Sequence, residues 1–102
     1  MKFIKITNDN EYIMSEAEEK DIKDICYDFV GDNFGHRKIK DNLYIIEDNE
    51  LYGKKRKIFD KTFYGNLIVI NYNNKENKYF GLSNTEIRGI LNESKKIDRN
   101  TF

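Results

Sequence analysis

The chain holds one cysteine, one histidine and one alanine, and neither proline nor tryptophan. Each scarcity removes a class of explanation. A lone Cys26 cannot close an intrachain disulfide, so the fold must rest on its core, which suits a reducing compartment. One Cys and one His are too few for a zinc site of about four such ligands. Neither a phosphate-cradling P-loop nor a GxGxxG turn occurs. No apolar run nears the roughly 20 residues that span a bilayer. The start, Met1-Lys2-Phe3-Ile4-Lys5, lacks the apolar stretch of a signal peptide. The expectation is a cytoplasmic protein of a bacterial cell, with no membrane contact and no cofactor. Net charge is also absent: 18 basic residues balance 18 acidic ones. No whole-molecule attraction to nucleic acid or anionic lipid follows.

What is present is apolar, aromatic and ionic matter enough for one core under a charged surface. The 102 residues are 38% hydrophobic and 35% charged, with seven Tyr and seven Phe. That excludes a disordered chain and fits a single domain over 1–102. Abundant Ile, Asn and Lys carry the composition of an AT-rich coding genome, as in low-GC bacteria and their phages.

Periodicity supplies the elements. Residues 2–7 alternate as a strand, Asn8-Asp9-Asn10 is a turn, and 11–14 read as a short return strand. Ser15 with Glu18 has the form of a capping box, and Ile22, Ile25, Cys26 and Phe29 fall on one helical face. A helix is expected over about 16–30, closed by Gly31. Residues 32–40 suit an extended strand around Gly35-His36-Arg37-Lys38, and 43–46 form another. Residues 58–63 fit a short strand or an irregular stretch. Leu67-Ile68-Val69-Ile70 is the most apolar run and reads as a central strand buried on both faces. Residues 73–77 are a hairpin loop, and 78–82 the return strand. A second capping box, Ser83 with Glu86, opens a helix over about 84–96, with Ile87, Ile90, Leu91 and Ile97 inward. The tail, 98–102, is expected to be loosely held. The order predicts an α+β fold: a mainly antiparallel sheet of four to six strands packed by two helices.

Several segments resemble a known family. Asp24-Ile25-Cys26-Tyr27-Asp28-Phe29-Val30-Gly31 is similar to a helix ending in a Val-Gly turn in the DUF3846 family. Leu43-Tyr44-Ile45-Ile46 with Asn49-Glu50 and Gly53 resembles its strand and Asn-Glu…Gly segment. Tyr64-Gly65-Asn66-Leu67-Ile68-Val69 resembles its Gly-initiated strand, and Leu82-Ser83-Asn84-Thr85-Glu86-Ile87 its Leu-Ser…Glu helix start. The chain departs from the family at Lys54-Lys55-Arg56-Lys57, where members carry Pro-x-Asn. The family is common in phages, plasmids and other mobile elements and has no agreed activity. The resemblance therefore implies a mobile-element accessory protein, similar in build to small anti-CRISPR and other anti-defence inhibitors.

Little here points to catalysis. Cys26 and His36 are ten residues apart, and spacing alone leaves a Cys/His nucleophile pair open. The apolar neighbours of Cys26 place it instead in the core. Glu47, Asp48 and Glu50 could hold a divalent ion but also suit a solvated turn. The expectation is no catalytic residue, no metal ligand and a function in binding. Two surfaces are candidates. Residues 11–30 carry seven acidic residues and two lysines, a local charge of −5. Glu16, Glu19, Asp21, Asp24 and Asp28 would form an acidic face able to occupy a basic groove on a host defence protein or ribonucleoprotein complex. Tyr52 with Lys54, Lys55, Arg56 and Lys57 would form a basic, aromatic loop, with Arg37, Lys38, Lys40, Phe59 and Phe63 nearby. Such a loop could follow phosphates and stack bases, or sequester a nucleotide signal between subunits. A chain with both charges segregated could also pair with itself as a homodimer.

Overall fold

The apolar run at 67–70 becomes the axis of the protein. In the computed structural model, which describes the backbone of residues 1–100 and the side chains of residues 1–94, it lies in strand β7, Leu67–Asn73. The other strands are β1 Lys2–Ile6, β2 Tyr12–Glu16, β3 Phe34–Lys40, β4 Leu43–Asp48, β5 Lys55–Ile58, β6 Lys61–Tyr64 and β8 Lys78–Phe80. Helix α1 spans Ile22–Phe29 and α2 spans Asn84–Asn100.

Six strands form one antiparallel sheet in the order β2-β1-β7-β4-β3. β8 pairs with residues 71–73 of β7, end to end with β1, which pairs with 67–69. The Leu82 N–H donates to the Lys2 carbonyl at 2.8 Å and joins those two strands. β5 and β6 make a separate hairpin. The fold is α+β, as the element order predicts.

Successive side chains of a strand point to opposite faces, and β7 is apolar on both. Leu67 and Val69 join Ile4, Ile6, Leu43 and Ile45 beneath Ile58 and Phe63 of the hairpin and Ile87 and Ile90 of α2. Ile68, Ile70 and Tyr72 join Phe3, Ile46 and Tyr79 beneath Ile22 and Cys26 of α1. Each fully buried Ile, Leu or Phe side chain contributes about 1.5–3 kcal/mol of transfer free energy. One strand thus binds two cores, one covered by the hairpin and α2 and the other by α1.

The Ser83 capping box forms as expected. The Glu86 N–H donates to Ser83 Oγ at 3.1 Å, and the Ser83 N–H donates to Glu86 Oε1 at 2.9 Å. The Ser15 box does not. Ser15 lies inside β2, opposite Phe3, and its hydroxyl reaches only the Ile13 carbonyl, at 3.5 Å. Pairing with β1 continues to Met1 and Ala17, whose main chains bond in both directions. The first helix therefore begins at Ile22, after a 3-10 turn at Glu19–Asp21, rather than near residue 16. Gly31 ends it at φ +149°, against the Asp48 carboxylate, where a Cβ would collide. The inward position expected for Ile97 and the loosely held tail over 98–102 fall on side chains outside those described, while the helical backbone of α2 runs to Asn100. Among the described residues, no helix is long and apolar enough to cross a membrane.

Candidate functional site

The two charged segments cover opposite faces of the sheet. α1 closes the Ile68 face and the β5–β6 hairpin closes the Leu67 face. The acidic and basic candidates are therefore not brought together.

The acidic residues sit on three consecutive elements. Glu16 ends the edge strand β2, Glu19 and Asp21 lie in the 3-10 turn, and Asp24 and Asp28 lie on α1. Ile22 and Cys26 point into the core. Helical spacing then turns Asp21, Asp24 and Asp28 outward along one stripe, and all five acidic candidates are exposed. Tyr27, also exposed, stands among them. Glu18 pairs with Lys20 at 3.3 Å, with both side chains in water. Among the described residues, no ion pair engages Glu16, Glu19, Asp21, Asp24 or Asp28.

The basic candidates are placed differently. Residues 54–57 are not a loop: Lys55–Ile58 is strand β5, paired with Lys61–Tyr64. Period-two alternation sends Lys55 and Lys57 to solvent and Arg56 and Ile58 inward. Arg56 spends its guanidinium on the fold. Nη1 donates to the Lys54 carbonyl at 3.0 Å, and Nη2 donates to the carbonyls of Thr7 and Gly65 at 3.2 and 2.5 Å. Burial pushes its pKa down, partly offset by the nearby Tyr12. Lys54 is tied by its N–H to Asn8 Oδ1 and by its ammonium to Asp9, at 2.7 and 2.8 Å. That hydrogen bond, and then the lysine charge, hold the Asp9 carboxyl below its usual range.

Of the neighbours expected around this run, Phe63 is buried and lies under the Arg37 guanidinium at 4.3 Å. Arg37 also donates through Nε to Glu47 Oε1 at 2.9 Å, where Glu47 is only 7% exposed. Neither ring nor guanidinium is presented for stacking. Tyr52 is exposed, beyond the strand. A cavity of about 340 Å³ between α2 and the hairpin is lined by Lys40, Phe59, Glu86 and Glu93 among others. Two carboxylates against one ammonium do not favour an anionic ligand there. Partial burial pushes Glu86 upward, but the Ser83 N–H, the Asn71 amide, the Ser83 hydroxyl and Lys40 together hold it low.

Cys26 and His36 do share a face. Burial pushes the Cys26 thiol up to about 12, so it is protonated at neutral pH and a poor nucleophile. His36 stacks on Tyr72, with ring centroids 4.2 Å apart, and its Nε2 lies 2.7 Å from Tyr79 Oη. Burial, and then the Lys23 charge, lower its pKa. Burial raises that of Tyr79. The group is an aromatic core with a polar seam. Among the described residues, no cluster of three or more His, Cys, Asp or Glu side chains could hold a metal.

Sequence reasoning passed over Ile13 and Met14. They were expected in a short return strand, and the structure makes that strand an outer edge with both side chains in solvent. Two large apolar residues between Glu11 and Glu16 were the available signal. Comparison with protein-family models, with curated proteins and with solved structures finds no match to this chain.

Proposed function

We propose that the chain acts by binding, as a mobile-element accessory protein that inhibits a host defence protein or ribonucleoprotein complex. It presents its acidic surface, Glu16, Glu19, Asp21, Asp24 and Asp28 with Tyr27, to a basic groove that otherwise receives nucleic acid. One observation carries the choice of surface: these carboxylates are exposed and unengaged, whereas Arg56 and Lys54 of the basic segment are bonded within the fold. Unpaired surface charge steers association and selects a partner of opposite sign. The mobile-element setting rests on the resemblance and the AT-rich composition.

The test is expression of the chain in a bacterium with active RNA-guided interference, with plating of a targeted phage as the readout. Plating should rise toward that of an untargeted phage. Unchanged plating across the RNA-guided and restriction systems of a low-GC host would end the proposal. The nucleic-acid reading retains Lys55, Lys57 and Tyr52 as exposed groups. It predicts a mobility shift with DNA or RNA at low salt, lost when Lys55 and Lys57 become Ala.

A further inference from the structure

The strand order of the sheet ends in β2 on one side and β3 on the other, and these two edges are finished differently. β3 shifts register between Lys38 and Lys40, with both lysines exposed, and its Arg37 folds onto Glu47 and Phe63. Irregular register and lysines are devices that keep an edge from pairing. β2 has neither. It runs in unbroken register with β1, from Lys2 opposite Glu16 to Ile6 opposite Tyr12. Ile13 and Met14 are 42% and 56% exposed, one on each face of the strand.

The hydrogen bonds fix which backbone groups this edge offers. Met1 with Ala17, and Thr7 with Glu11, are hydrogen-bonded pairs. Alternation along an antiparallel ladder then makes Phe3–Ser15 and Lys5–Ile13 bonded pairs as well. The N–H and C=O of Met14 and Glu16 consequently point away from the sheet.

We propose that β2 is a docking edge that receives an extended, basic segment of a partner protein as a further strand. Main-chain bonds to Met14 and Glu16 would hold the segment, and Ile13 and Met14 would pack against its apolar side chains. Charge sets the partner's sign. Glu11 and Glu16 bracket the apolar pair and Glu18, Glu19 and Asp21 follow, five carboxylates against Lys2 and Lys5 of the adjoining β1 and Lys20, which pairs with Glu18. A second copy fits less well: two-fold pairing about Met14 would set Glu16 of one chain opposite Tyr12 of the other and lay two acidic edges side by side, whereas a basic segment meets opposite charge. The inference deepens the proposed function by naming how the partner is held. It rests on that reading only for the partner's being a defence protein.

Two ten-residue peptides serve as probes, one alternating valine with lysine and one alternating valine with glutamate. Amide exchange is followed by NMR. In the free protein, the Ile13 and Ser15 amides should exchange slowly and those of Met14 and Glu16 fast. The lysine peptide should slow Met14 and Glu16 at least tenfold, and the glutamate peptide should not. Met14→Pro removes one outward N–H while keeping every bond to β1, and should abolish the slowing. Should proline unfold the chain, Met14→Lys keeps the N–H and should weaken binding of the lysine peptide by charge. No slowing with either peptide, or equal slowing with both, overturns the proposal. So does slowing that grows with protein concentration alone, which would make a second copy the occupant. The phage assay separates the two readings. Rescue by the chain and equally by Met14→Pro sinks the docking edge alone, and slowing by the lysine peptide without rescue by the wild-type chain sinks the anti-defence reading alone.

Discussion

Arg56 and Asp24 are both charged, and they lie on elements that cover opposite faces of the same sheet. Arg56 turns inward and bonds three carbonyls from three segments, Thr7, Lys54 and Gly65. Asp24 turns outward on α1 and meets no basic side chain among the described residues. Half of the basic segment, Lys54 and Arg56, is consumed in holding the hairpin to the β1–β2 turn. The acidic segment is left over by folding. Charge that the fold does not use, in a region that costs self-repulsion, is the better candidate for use by a partner.

The comparison can be broken by mutation. Arg56→Ala should cost about 2–3 kcal/mol in urea unfolding, because charge-assisted bonds to partly buried carbonyls are lost together. Arg56→Lys should recover part of this, since one ammonium cannot reach all three acceptors. If Arg56→Ala left the unfolding midpoint unchanged, the basic segment would not be structural. Neutralising Asp21, Asp24 and Asp28 to Asn should shift stability by no more than about 0.5 kcal/mol per site, the range for surface sites without partners. A loss of several kcal/mol would show that those carboxylates serve the fold. Lys55→Ala with Lys57→Ala should likewise stay within about 0.5 kcal/mol and separate these two lysines from Arg56.

The smallest effect concerns pH. His36 has its folded pKa lowered below the ordinary 6.5, mainly by burial. The unfolded chain therefore binds the proton more readily, and stability falls as pH drops through that value toward the lower folded one. Melting temperature should decline between pH 7.5 and 5, with the decline reduced in His36→Gln. The carboxylates held low, Asp9 and Glu86, titrate below this window. An equal decline in both proteins would assign it elsewhere.

Much of the architecture was legible locally. The run at 67–70 announced a strand buried on both faces because four consecutive apolar residues leave no face for solvent. The Ser83 and Glu86 pair capped its helix because no strand competes for that segment. The same signature at Ser15 and Glu18 failed for a tertiary reason: Tyr12–Glu16 gains a full ladder with Lys2–Ile6, which outweighs one helical turn. The role of Arg56 was not legible, since two of its acceptors, Thr7 and Gly65, are brought to it only by folding. Nor was the edge position of β2, which depends on strand order rather than on the residues of β2. The outward orientation of the acidic stripe, by contrast, followed directly from helical spacing.

The central claim is that the acidic surface, not the basic hairpin, meets the partner. Paired charge reversals test it in one assay. Asp21→Lys with Asp24→Lys and Asp28→Lys is compared with Lys55→Glu and Lys57→Glu, each first checked for an unchanged unfolding midpoint. In the phage-plating assay, the acidic-face variant should lose at least tenfold of the rescue and the hairpin variant should keep it. Rescue kept by the acidic-face variant and lost by the hairpin variant would contradict the claim.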